Sequence, residues 1–334
     1  MPARTNNMPK RVLLIISNPK QAAYRLRWEQ LLPRLAQNGI EVDVAVRTKG
    51  MLARRKLAQS AGPYDAVVLQ RKLLDGWEAR LLRRSAKRVI LDIDDAVMFH
   101  AHRVSAFSQW RQARRFNATA KILDLVVAGN DYLAEQFAAR GCPCRILPTT
   151  VDLDQYLVRQ HQASTPIRLV WIGSRSTLPY LQQFLPYLER AQTSDCPLEL
   201  VTVADGTVQS AVIAVRHIPW SLPVERRALV EGDIGIAPTP QDRWAQGKCG
   251  FKIIQYMASA LPVIASPVGA NAQIVVEHQT GLLPQTGPEW SAAIRKLAAD
   301  ASLRQTMGTA GRERVAQHYS LPRAVEAWTQ WLAE

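Results

Sequence analysis

The stretch Lys248-Cys-Gly-Phe-Lys-Ile-Ile-Gln-Tyr-Met-Ala-Ser-Ala-Leu-Pro-Val-Ile-Ala-Ser-Pro-Val-Gly-Ala-Asn271 concentrates residue types that bind phosphorylated ligands. It reads as a polar loop, a helix, a short buried strand and a second helix start. Lys248, Gly250 and Phe251 stand at the entrance of the first helix. A helix N-terminus gathers free N–H groups and partial positive charge, so it attracts phosphate. Lys252 and Gln255 are three apart and share one helix face. There Lys252 would neutralise a diphosphate and Gln255 would hydrogen-bond a ribose hydroxyl. The next turn, Ser266-Pro-Val268-Gly269, follows the strand Leu261–Ala265. Open α/β sheets take ligands at the carboxyl ends of their strands.

Other segments carry similar chemistry. In Trp171-Ile-Gly173-Ser174-Arg175-Ser-Thr177, a Gly turn after a strand is followed by hydroxyls that can cradle a phosphate. The alternative reads Ser174 and Thr177 as plain helix caps. Asp92, Asp94 and Asp95 crowd the carboxyl end of another strand. Like charges repel there, so the cluster makes better sense in a site, with Asp94 and Asp95 orienting an acceptor hydroxyl or touching a sugar. A capping cluster of solvated acids is the alternative, and the Asp-any-Asp spacing also suits Mn²⁺ or Mg²⁺. Arg25 and Arg27 open the first long helix, where they would meet an anionic acceptor or serve as plain surface charge. The loop before them lacks a Gly-rich fingerprint, so no dinucleotide cofactor is expected. Cys142-Pro-Cys144 is too close for a zinc finger. Four cysteines without a paired framework point to a reducing compartment.

The run Gln255-Tyr-Met-Ala-Ser-Ala-Leu-Pro-Val-Ile-Ala-Ser266 resembles the second half of the donor-site signature of GT-B glycosyltransferases, and is most similar to glycosyltransferase family 4. That signature has a Glu, seven residues, a second Glu, then Met-Ala, a small residue and Pro-Val. Here Gln255 replaces the second Glu and the first falls on Gly247. The resemblance implies an α/β GT-B fold, two Rossmann-like domains facing across a cleft. Residues 1–157 would form the acceptor-binding domain, closed by Leu147-Pro-Thr-Thr-Val-Asp152, with the C-terminal helix 320–334 crossing back to it. Residues 158–319 would form the nucleotide-sugar donor domain. The family places an Arg on the donor phosphates where this chain has Ser174, so Arg175 and Lys252 would together stabilise the departing diphosphate as catalytic cations. The loop ending Arg216-His-Ile218-Pro-Trp220 would hold the nucleotide base, with Ile218 or Trp220 against the ring. Core packing is the other reading of Trp220. A family His that contacts the sugar points to His100 or His102. The implied reaction is retaining transfer from a nucleotide-diphosphate sugar to a lipid-linked or cell-envelope glycan, with no metal or other cofactor. The missing acids keep open a GT-B sugar-nucleotide epimerase or a degenerate GT-B partner subunit.

The elements that must position these residues alternate. Val12–Ser17, Glu41–Val46, Asp65–Leu69, Arg88–Asp92 and Asp124–Ala128 read as strands covered on both faces. Tyr24–Asn38, Met51–Gln59, Trp77–Ser85, Val104–Ala120 and Asp131–Arg140 read as the helices between them. The succession predicts a parallel sheet. A polar linker, Arg159–Pro166, precedes a second series: Ile167–Ile172, Leu198–Val203, Val215–Ile218, Ile234–Ala237 and Leu261–Ala265. Trp328 and Trp331 share one face of the last helix.

The 334 residues, 47% hydrophobic, suffice for two domains with cores. The formal net charge of +14 is one-sided. Residues 1–150 hold 26 Lys and Arg against 12 Asp and Glu, whereas the remainder hold 16 and 16. A basic first half predicts an anionic partner, such as a membrane surface or a lipid-linked phosphate. No nucleic-acid motif accompanies it, so nucleic acid is not expected. The run Val12–Ile16 is too short for a signal peptide, and no run is long enough to span a bilayer. A cytoplasmic protein, peripheral at the inner face of the membrane, is the expectation.

Overall fold

The computed structural model describes residues 9–99 and 104–334. The chain divides into two compact units: residues 1–150, 246–249 and 321–334 form the first, and residues 151–245 and 250–320 the second. The division falls at 150/151 rather than after 157, because Val151 and Tyr156 are buried in the second unit's core.

The first unit is built on six strands: β1 (Lys10–Ile16), β2 (Ile40–Val46), β3 (Ala66–Gln70), β4 (Val89–Ile93), β5 (Leu125–Ala128) and β6 (Cys144–Ile146). They pair in parallel in the order β2-β1-β3-β4-β5-β6. β3, β4 and β5 are buried throughout, as their continuous Val, Leu and Ile content requires. The expected helix Tyr24–Asn38 is broken. A π turn, Arg25–Glu29, precedes a new helix at Leu32–Gln37, where Pro33 supplies no N–H to the preceding turn. Helix Ala106–Ala120 starts later than the sequence suggests, because Ser105 caps it. Asn130 caps Asp131–Ala138 as its residue type predicts, accepting from the Leu133 amide at 2.9 Å.

Charge is buried at the heart of this unit. Asp92, at the end of β4, is 0% exposed and accepts from Arg27 Nε at 2.9 Å and Trp28 Nε1 at 2.8 Å. Arg27 is itself buried and also donates to the Leu147 carbonyl at 3.0 Å. Trp28 packs against Trp328 of the last helix, Leu321–Ala333, with ring centroids 4.5 Å apart. Trp328 and Trp331 are both buried in this core.

The second unit repeats the plan with β7 (Ile167–Ile172), β8 (Leu198–Ala204), β9 (Ala214–Pro219), β10 (Ile234–Ala237), β11 (Val263–Ala265) and β12 (Gly281–Leu282). All pair in parallel, in the order β12-β11-β10-β7-β8-β9. β11 starts two residues late, since Ala260 adopts φ 58 and Pro262 follows. β6 and β12 escape the sequence reading because each has only two or three residues.

Asp92→Ala would strip the counter-charge from buried Arg27 and should cost about 3–5 kcal/mol of unfolding free energy. Trp328→Ala should cost about 3–5 kcal/mol through the cavity it leaves. Denaturant titration checks both; a loss under about 1 kcal/mol in either would contradict the packing described.

Candidate active site

Strand order reverses between β7 and β10 in the second unit, and crevices at such switch points bind ligands outside the strands' carboxyl ends. The loops there come from the sequence-nominated segments. After β7, a Cβ on Gly173 would fall 2.2 Å from the Trp171 indole, so only glycine lets the ring lie against this turn. Lys252 Nζ sits 4.7 Å from the centroid of that ring, an attractive cation–π geometry. Gly173, Trp171 and Lys252 thus form one cluster.

The neighbouring hydroxyls bond within their own turn. Thr177 Oγ1 accepts from the Ser174 amide at 3.1 Å, and Ser174 Oγ pairs with Ser176 Oγ at 2.8 Å. Neither caps the helix Leu178–Glu189 through its side chain, against the capping alternative. The Arg175 amide donates to the Asp205 carboxylate and its guanidinium to the Asp205 carbonyl at 3.3 Å. Arg175 is therefore anchored at the end of β8.

Helix Phe251–Ala258 begins on Gly250 at φ 61, where a Cβ would fall 2.4 Å from Ile274 Cδ1. Phe251 packs half-buried on the core. Buried Val268 and left-handed Gly269, φ 55, complete the turn after β11. Asn271 ties that turn to the exit of β10, donating to the Ser266 carbonyl at 3.1 Å and Thr239 Oγ1 at 3.2 Å.

Gln255 departs from expectation. It is 3% exposed, and its amide nitrogen donates to Glu225 and to Tyr156 Oη at 3.3 Å. Its N–H groups are thus committed within the protein, not presented to a ribose. Glu225 is the residue the sequence reading missed. Buried in the first turn of helix Leu222–Glu231, it accepts from Gln255 and from the Trp220 indole N–H. An acid in a first helical turn looks like ordinary dipole compensation, so the sequence offered no signal. Trp220 is 41% exposed, which overturns its core-packing alternative; Ile218 packs half-buried beside the core.

In the first unit the crowded acids each find a cation. Arg27 is spent on Asp92, so its expected acceptor role fails: a buried ion pair holds the guanidinium. Arg71, directly after β3, reaches Asp94 Oδ1 with Nε at 3.2 Å and Asp95 Oδ2 with Nη2 at 2.5 Å. It does so from a left-handed backbone, φ 53, a conformation that costs a non-glycine residue on the order of 1–3 kcal/mol. Burial raises the pKa of Asp94; Arg71 and Arg27 oppose that rise, and Asp95 and Asp92 add to it.

Lys248 was expected among the donor contacts, yet residues 246–249 pack in the first unit. Lys248 Nζ lies 2.8 Å from Asp95 Oδ1, while the Cys249 thiol donates to the Asp94 carbonyl at 3.1 Å. Asn130 donates to the Lys248 carbonyl at 3.0 Å. Asp94 and Asp95 are thus held by the side-chain cations Arg71 and Lys248. Burial pushes the Cys249 thiol well up and that of Cys144 up to about 11, so neither is a ready nucleophile. Arg25 lies half-buried in the π turn. His100, with His102, lies outside the described residues.

Two six-stranded parallel sheets with flanking helices are the architecture of the GT-B fold. Residues 155–300, which apart from 246–249 lie within the second unit, match the family model for glycosyl transferases group 1. The chain is similar to sucrose-phosphate synthase from Thermosynechococcus elongatus at 17% identity, covering 96% of this chain and 98% of that one, TM-score 0.72. HepE of Anabaena in complex with UDP-glucose aligns at 14% identity over 97% of this chain and 99% of its own, TM-score 0.69. A mutant S. aureus TarM in complex with Fondaparinux, α-GlcNAc-glycerol and UDP aligns at 11% identity over 84% and 58%, TM-score 0.58. No curated protein matches the sequence.

Gly173→Ala should displace the Trp171 ring and cost about 1–3 kcal/mol, with partial recovery in the double variant Gly173→Ala/Trp171→Leu. Thermal unfolding reads both; an unperturbed single variant would contradict the close approach.

Proposed function

We propose that the chain transfers a sugar from a nucleotide-diphosphate sugar to a lipid-linked or cell-envelope glycan, with retention of configuration and without a metal or other cofactor. The second unit is the donor side and the first the acceptor side. The observation that carries the reading is Lys252, poised over Trp171 beside the Gly173 turn at the switch point of the second sheet. A fixed cation there suits a diphosphate, because such a leaving group departs as developing negative charge that a preorganised cation stabilises. The structures of HepE with UDP-glucose and of TarM with UDP support the substrate class.

Within this reading Arg175 adds a second cation. The carboxylate that the family signature carries at position 255 is supplied instead by Glu225, oriented by Gln255 toward the ribose. The exposed indole of Trp220, held by the same carboxylate, stacks on the base. Asp95, fixed by Arg71 and Lys248, orients the acceptor hydroxyl, with Asp94 beside it. The acceptor oxygen bonds to the anomeric carbon as the bond to the diphosphate oxygen breaks. The hydroxyl proton passes to that departing oxygen, on the same face of the sugar. On this reading the enzyme acts in the cytoplasm, peripheral at the inner face of the membrane.

Calorimetry against UDP, GDP, ADP, dTDP and their sugar conjugates tests the donor side. One diphosphate should bind saturably and equally well with EDTA; binding by none of them would sink the reading. Lys252→Ala should retain the fold but lose turnover by about 10²-fold or more, and a variant keeping more than about a tenth of the rate would reject its role on the diphosphate. Asp95→Asn should reduce transfer well beyond any change in nucleotide affinity; equal losses in both would move Asp95 to the donor side.

A further inference from the structure

Two stretches of the first unit contain no acid at all: residues 44–64 and 96–123. They supply the helices Met51–Gln59 and Ala106–Ala120. Arg54 of the first and Arg115 of the second bind the same carboxylate, Asp75, at 2.5 and 2.7 Å. Both helices are therefore fixed against one point, while other side chains face water. Met51 is 71% exposed, Leu52 76%, Phe107 65% and Trp110 52%.

The exposed rings are preorganised. Phe107 and Trp110 stack with centroids 5.7 Å apart, and the Arg114 guanidinium lies 4.7 Å over the indole. Arg55, Lys56, Arg111 and Arg114 are exposed on the same two helices. Large exposed apolar side chains beside exposed cations, on helices that hold no acid of their own, match the boundary of an anionic bilayer. Rings and aliphatic groups enter the acyl edge while guanidinium and ammonium groups stay with the phosphates. A nucleic acid would use the rings and the cations but would give no role to the aliphatic pair Met51 and Leu52. No described helix is long and apolar enough to cross a membrane, so surface attachment is the mode these helices offer.

We propose that the exposed faces of the helices Met51–Gln59 and Ala106–Ala120 dock on a bilayer rich in anionic headgroups, with Phe107, Trp110, Met51 and Leu52 inserted and Arg55, Lys56, Arg111 and Arg114 on the phosphates. The proposal rests on the reading of the first unit as the side that meets a lipid-linked acceptor, yet its test needs no turnover.

The full chain would be co-sedimented with vesicles of phosphatidylcholine alone and with added phosphatidylglycerol. Binding should require the anionic lipid and weaken with salt. Phe107→Ser with Trp110→Ser should lower the partition about tenfold, and Met51→Ser with Leu52→Ser should lower it further. Arg111→Gln with Arg114→Gln should remove most of the preference for anionic lipid. All three pairs should keep the wild-type melting temperature and nucleoside-diphosphate affinity. Absence of wild-type binding to anionic vesicles, or wild-type partition by the Phe107/Trp110 pair, overturns the proposal. So does a single-stranded oligonucleotide that displaces the vesicles and loses its own binding in the same pair. Vesicle binding without nucleotide binding would instead defeat the donor reading and leave this surface standing.

Discussion

The first unit is organised around one wholly buried carboxylate. Taking Asp92 and Arg27 out of water costs each several kcal/mol, which only close charge-assisted hydrogen bonds repay. The structure meets that demand with Arg27 Nε and Nη2 and Trp28 Nε1 on the same two oxygens. Arg27 also reaches the Leu147 carbonyl and Thr149 Oγ1, so the segment leaving the sheet is fixed by the same side chain. Two adjacent residues, Arg27 and Trp28, serve one acceptor, and the backbone carrying them is wound as a π turn. With Asp92 neutralised by Arg27, Asp94 and Asp95 are left to Arg71 and Lys248 at the mouth of the sheet. The apparent repulsion of three acids within four residues is thereby divided between an interior pair and a half-buried cluster.

The second unit manages its ligand-facing loops by close approach. Glycines at 173, 250 and 269 each permit a turn that a side chain would strain or obstruct. Their neighbours Thr177, Ser266 and Asn271 spend hydrogen-bonding capacity on holding those turns in place. Rigid loops limit the ordering penalty that a ligand meets on arrival. Gln255 contributes in the same way, from beneath: it orients Glu225, which in turn holds the indole of Trp220.

The strands with long Val, Leu and Ile runs were legible because double-sided burial leaves a continuous apolar signature, as in β3, β5 and β7. Glycine-started helices and the Trp pair of the last helix were legible for similarly local reasons. What stayed hidden depended on partners far away in sequence. Arg27 looks like surface charge until Asp92, 65 residues on, claims it. Lys248 looks like part of the helix entrance until Asp95 and Asn130 draw its segment into the other unit. Arg71 carries no signal at all, since its left-handed backbone is sustained by the acids it meets. The Met-Ala-Ser-Ala-Leu-Pro-Val run identified the class, while the Gln255–Glu225 pairing required coordinates.

The chain passes between its two units at 150/151, 245/246, 249/250 and 320/321. During synthesis the first unit emerges with its sheet complete but with Trp28 still lacking Trp328 and Asp95 still lacking Lys248. Those partners are made only as the second unit, and then the last helix, leave the ribosome. Domains generally close as they are translated, N-terminal first. Here the earlier-made half keeps the apolar face that Trp328 and Trp331 cover unburied until residues 321–333 have been made.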